Sequence, residues 1–180
     1  MKIFLSSIGT VVLLIVGFLI WSSVSGSPSA ATVPIDGLQK YTHNNSSHTI
    51  DKVTYSETPP TGGNHAPVWA ACNGKVYDKP VPNEQAVHSL EHGAIWITYQ
   101  PSVGAAQIGV LSKKIQAHTY AFMSPLPEQK TPIVLSAWGN QLSVQDADDS
   151  RIDQFIKQFS QGQQTPEPGA SCAAISGGMQ

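Results

Sequence analysis

Apolar and polar residues follow several different patterns along this 180-residue chain. Ile3 to Trp21 is a run of 19 residues without a charge. Residues 25–48 are small and polar with interspersed Gly and Pro, the composition of a tether. Ile50, Val53 and Tyr55 alternate imperfectly with polar groups and predict a short extended segment that ends at Pro59-Pro60. The Pro- and Gly-bearing stretch 59–82 then fits neither period. Its aromatic anchors Trp69 and Tyr77 mark it as a long ordered loop. Next comes a helix over 84–92, with Asn83 as its cap, Glu84 in the first turn and Gly93 as its left-handed stop. At 100° per residue Ala86, Val87 and Leu90 share one side, while Glu84, Gln85, His88, Glu91 and His92 share the other.

Beyond Gly93, AIWITYQP has the β-branched and aromatic content of a strand, and Val103, Ile108, Leu111 and Ile115 recur at near-helical spacing. TYAFMSP and PIVLSAWGNQLSV supply further strands. In the last helical segment Ile152, Phe155, Ile156 and Phe159 lie on one face behind an acidic N-terminus. The order strand, helix, strand, strand, helix predicts a single α+β domain with a ferredoxin-like arrangement, preceded by the long loop region. The expected boundaries are a signal-anchor or signal peptide at 1–24, a flexible linker at 25–48, the domain at 49–172 and a tail at 173–180. No internal repeat is present.

The apolar N-terminal run is just long enough, at about 1.5 Å per residue, to cross a hydrocarbon core of roughly 30 Å. Retention as a membrane anchor is the first expectation. Cleavage after Ala31, releasing a secreted domain, is the alternative. Lys2 and the amino terminus favour an N-inside orientation, so either reading puts the domain outside the cytoplasm.

Composition narrows the partners. Without Lys2 the chain has nine basic against twelve acidic residues, a balance of about −3, and its Lys and Arg are scattered. That pattern excludes a nucleic-acid stripe. The two cysteines, Cys72 and Cys172, most simply form one disulfide in an oxidising compartment. Such a bond would staple the Pro/Gly-rich tail QTPEPGASC. A free Cys72, reactive or metal-binding, is the alternative.

The chemistry concentrates in AVHSLEHGAIW. Imidazoles at i and i+4 lie about one helical turn apart and reach a single cation. His88 and His92 therefore make half a metal site, with His65 in TGGNHAPVW as the best third ligand. Cys72 or Met123 would add a soft donor and favour copper over zinc. His-x-x-Glu-His is also the inverted zinc-peptidase signature, in which Glu91 activates water and an acid such as Asp149 or Asp153 completes the shell. The bland reading is a surface helix with a solvated polar face. His43 and His48 beside NNSS read as solvated linker residues, and His118 as structural.

On PPTGGNHAPVW, GKVYDKPVPNEQAVHSLEHGAIWITY, SAWG and TPEPGASC, the chain closely resembles the bacterial domain-of-unknown-function family 3105, from about Tyr55 to Cys172. The resemblance implies an exported, often membrane-tethered protein of a kind in which some members are labelled metal-binding, and carries no established activity. It brings forward His65, His88, Glu91 and His92, in the family's H-P-W-like and H-S-L-E-H-G segments. The run AAC-NGKVY after Trp69 is longer than the family's usual one, which bears on the Cys72 loop. The combined expectation is an extracytoplasmic domain binding copper or zinc through His65, His88 and His92, with Glu91 as fourth ligand or orienting partner. Metal ion and membrane are its expected partners. A zinc-dependent hydrolase and a metal-free interaction domain are the alternatives.

Overall fold

The computed structural model describes residues 33–178. The N-terminal segment 1–24 and the linker up to residue 32 lie outside the described residues. Among those described, no helix is long and apolar enough to cross a membrane.

Six strands form one mixed sheet: β1 (Gln39–Lys40), β2 (Asn73–Val76), β3 (Ile95–Tyr99), β4 (Ala121–Pro125), β5 (Ile133–Ala137) and β6 (Asn140–Val144), in the spatial order β1-β6-β5-β3-β4-β2. The helices among the described residues are α1 (Asn83–Glu91), α2 (Ala105–Gln116) and α3 (Arg151–Phe159). The domain is therefore α+β, as the hydrophobic pattern requires.

All five residues of β3 are buried. A strand covered on both faces needs no polar side, which is why IWITY reads as a continuous apolar run. Its alternate residues enter different cores. Ile95, Ile97 and Tyr99 pack with Leu111 and Ile115 of α2 and Ile152, Phe155, Ile156 and Phe159 of α3. Trp96 points the other way and packs with Phe122, Leu90, Ala86, Tyr77 and the two cysteines. α2 and α3 thus cover one face, while α1 and the irregular segments cover the other.

The connection β3-α2-β4 returns to a parallel neighbour, as a helical crossover does, whereas β5 and β6 form an antiparallel hairpin through Trp138-Gly139. The expected strand, helix, strand, strand, helix order is present over these elements. β3 and β4 are direct neighbours, so the crossover is not split by an intervening strand as in a ferredoxin-like layer. Two short edge strands were not anticipated. β2 lies inside the stretch read as loop and pairs with β4 across an irregularity at Asn73/Lys75. β1 lies in the expected tether and pairs with β6, and nearby Ile35 is buried in the core. The extended segment expected around Ile50–Tyr55 forms no named strand, and Ile50 stands 93% exposed.

Cys72 and Cys172 are bonded to each other across 100 residues, which removes the free-thiol alternative and Cys72 as a metal donor. Backbone hydrogen bonds extend the staple on both sides: Cys72 N–H donates to Cys172 O (2.9 Å), and Ala121 N–H to Cys72 O (2.8 Å).

Candidate metal centre

α1 was expected to have one dry and one wet face. Instead every residue from Ala86 to Glu91 is buried, and His92 beyond it as well. The cover comes from distant chain. Ala66 N–H donates to Glu84 O and Ala70 N–H to Gln85 O, while Ser89 Oγ donates to Ala70 O, which lays the 66–70 segment along the helix. On the other side Glu167 N–H donates to Glu91 O. Asn83 begins the helix without a side-chain capping bond; Glu84 instead accepts from Val53 N–H (2.9 Å) and ties the preceding segment to α1. Gly93 adopts φ 87°, the left-handed stop its position predicts.

Within this covered region His48, His65, His88 and Glu91 each offer one ligand atom, all within 4.8 Å of one another. The ring centroids of His48, His65 and His88 form a triangle with sides of 4.9 Å. Around a tetrahedral ion with bonds of about 2.0–2.1 Å, donors sit roughly 3.3–3.4 Å apart. The cluster needs only a modest contraction to match.

Tautomers are dictated by the backbone. His65 Nδ1 lies 2.9 Å from Gly63 O and His88 Nδ1 lies 2.6 Å from Ala66 O. A carbonyl only accepts, so each Nδ1 carries a hydrogen, and in the neutral ring Nε2 keeps the lone pair. This is the second-partner arrangement that fixes metal-binding imidazoles. His65 Nε2 is buried and lies 2.9 Å from Glu91 Oε2, the polar atom it faces. A proton or a metal ion between this nitrogen and the carboxylate oxygen suits that separation.

Burial and neighbouring charge act differently on the three groups. Burial dominates at His88 and pushes its pKa down to about 4; the Ala66 carbonyl opposes this, and the rings of His92, His65 and His48 add to it. His88 is thus a neutral ligand at pH 7. Burial also works to lower His65, but the adjacent Glu91 carboxylate and the Gly63 carbonyl outweigh it and leave His65 raised. Glu91 is correspondingly lowered, its burial overcome by His65 and the other imidazoles.

His92 stands just outside this group of four. Its ring is 4.6 Å from that of His88 and 4.9 Å from that of Trp69, and its Nδ1 donates to Ser171 O (2.7 Å). Its Nε2 faces Glu167 at 3.9 Å. Burial, only partly offset by the Ser171 carbonyl and the two glutamates, holds its pKa down. His48, read from sequence as a solvated linker residue, joins the group because residue 48 bridges residue 65 in parallel, with Thr49 N–H donating to His65 O (2.7 Å) and His65 N–H to Ser47 O (3.1 Å). No local pattern in YTHNNSSH announces a pairing 17 residues away. His43 lies elsewhere, with its Nε2 2.9 Å from Thr61 Oγ1, and His118 is exposed.

Other candidate donors are committed elsewhere. Met123 is enclosed in the core beneath α2 and α3. Asp149 pairs with Arg151 (2.6 Å) and Asp153 with Lys114 (2.7 Å), so neither completes the shell of an inverted zinc-peptidase site.

No curated protein and no solved structure matches the chain. The family model described as "Protein of unknown function (DUF3105)" matches residues 47–174, a span that contains all four members of the cluster and both cysteines. The chain belongs to this family of unknown function.

Proposed function

We propose that the domain binds one transition-metal ion through His48, His65, His88 and Glu91, with His92 packed against the centre, and that it does so outside the cytoplasm. The observation that carries this reading is the convergence of His48, His65, His88 and Glu91, whose ligand atoms all lie within 4.8 Å of one another with the buried His65 Nε2 facing the Glu91 carboxylate. Three nitrogens and one oxygen suit a divalent ion of the zinc or copper(II) kind. Among the described residues both cysteines are in the disulfide and Met123 is in the core, so none supplies a sulfur donor that would favour copper(I). The disulfide and the uncharged N-terminal run support an exported, membrane-tethered domain, with secretion after cleavage as the alternative.

Binding is favoured over hydrolysis because four protein donors close a tetrahedral shell, whereas catalytic zinc keeps one position open. Glu91 also stands within the donor set rather than beside it, where a base for water would be needed. Elemental analysis of the chain purified without affinity histidines tests the proposal. Near one ion per chain, lost in His88→Ala, is the expected result; no ion after zinc or copper(II) is supplied rejects it. Glu91→Gln separates the alternatives, since it weakens metal retention if Glu91 is a ligand and leaves it intact if Glu91 is a hydrolytic base.

A further inference from the structure

The four donors are not held alike. His65 and Glu91 have side chains 0% and 6% exposed, His88 is buried, and both of these imidazoles are fixed by carbonyls. The His48 side chain is 53% exposed, and the polar contact its ring makes is a long one, Nε2 to Glu91 Oε2 at 4.0 Å. It is kept in place by ring contacts with His65 and His88 and by the backbone bridge, to which Ser47 N–H adds a bond to Asn64 Oδ1 (3.1 Å). The chain around it, from Asn44 to Ser47 and from Ile50 to Lys52, is exposed. An open hollow of about 410 Å³ lies against this ligand, lined by His48, Thr49, Ile50 and Pro67.

We infer that His48 is the exchangeable ligand of the centre, and that its position is the port where a small monodentate donor, water or an imidazole nitrogen, replaces it as the ion is loaded and released. The inference rests on the metal-binding reading. Its physical basis is the difference in preorganisation. Donors already fixed by packing and hydrogen bonds lose little freedom when an ion arrives, whereas a half-exposed side chain loses rotamer entropy and offsets part of its own bond. Departure of a ligand also requires that solvent take its place, and only His48 borders the hollow. Once it swings away, His65, His88 and Glu91 remain as three protein donors with a fourth position open, the arrangement that admits exogenous ligands.

The test uses the full chain, the wild type beside His48→Ala and His88→Ala, each supplied with cobalt(II) as a spectroscopic stand-in for zinc. Affinity and release rate are read by competition with a chromogenic chelator, with and without free imidazole. His48→Ala is expected to keep one ion with affinity reduced only about 10–100-fold, a loss as small as that of an outer partner because the half-exposed ring offsets part of its own bond and water takes its place. It should release the ion faster, and free imidazole should shift its cobalt spectrum toward that of the wild type. His88→Ala should bind no ion. Loss of the ion from His48→Ala as complete as from His88→Ala overturns the inference, as does an unchanged release rate with no response to imidazole. Failure of the wild type to bind any ion refutes the metal reading itself, and the inference with it.

Discussion

Glu57 illustrates how single side chains organise the segment that carries His48. Its carboxylate accepts from Thr61 N–H (2.9 Å), Thr61 Oγ1 (2.7 Å) and Ser56 Oγ, with His43 Nε2 at 3.7 Å. Burial works to raise its pKa, but the hydrogen bonds from Ser56 and Thr61 and the nearby His43 prevail and hold it below the ordinary 4.5. A carboxyl depressed on folding contributes stability that is fully present above its unfolded pKa and disappears as pH falls through the folded one. Glu57→Gln should therefore cost about 1.5–3 kcal/mol at pH 7, the range for hydrogen bonds to a charged group. The gap from the wild type should close below about pH 4.5. Urea unfolding of both proteins across that range checks it, and a gap independent of pH rejects it. Reading residues one at a time has a clear limit here. His65, His88 and Glu91 were legible because glycines before a histidine and a His-x-x-Glu-His spacing are local signals. His48 was not, because its role depends on a backbone bridge to a residue 17 positions away.

Elements with strong periodicity were legible for the same reason: α2 and α3 bury the residues their spacing selects, and β3 and the hairpin follow their apolar runs. The burial of α1 on both faces was not, since segments far away in sequence supply the second cover. β1 and β2 were too short and too polar to register as strands. The end of α1 shows how much the site depends on one backbone turn. Gly93 has φ 87°, and a Cβ there would overlap Gln161 Nε2 and crowd Thr165. Gly93→Ala should destabilise by at least about 1–2 kcal/mol from the left-handed conformation alone. The collision also displaces the Gln161 amide, which donates to His92 O, so the end of α1 loses that bond. Thermal unfolding should register the loss, and metal affinity should fall alongside it. Full stability in Gly93→Ala rejects the requirement for glycine.

At the scale of the molecule, the disulfide closes the C-terminal segment over the metal face without supplying any of the four donors. Besides the Cys72–Cys172 bond, that segment receives hydrogen bonds from Trp69 Nε1 at Ala173 O (2.8 Å), His92 Nδ1 at Ser171 O (2.7 Å) and Tyr120 Oη at Ala170 O (3.1 Å). The four donors lie between residues 48 and 91, outside this strap. Cross-linking residues 100 apart restricts the unfolded chain by up to about 4–5 kcal/mol in the loop-entropy description. The Cys72→Ser/Cys172→Ser variant should lose stability on that scale while retaining most of its metal affinity. An ion at 100 times its Kd adds about 2.7 kcal/mol to the folded state. Zinc should therefore recover roughly half of what the missing disulfide removes. Chemical unfolding of the wild type and variant, each with and without zinc, separates the two contributions. If zinc stabilises the wild type but leaves the variant unmoved while it is still folded, the strap is part of the metal centre rather than its cover.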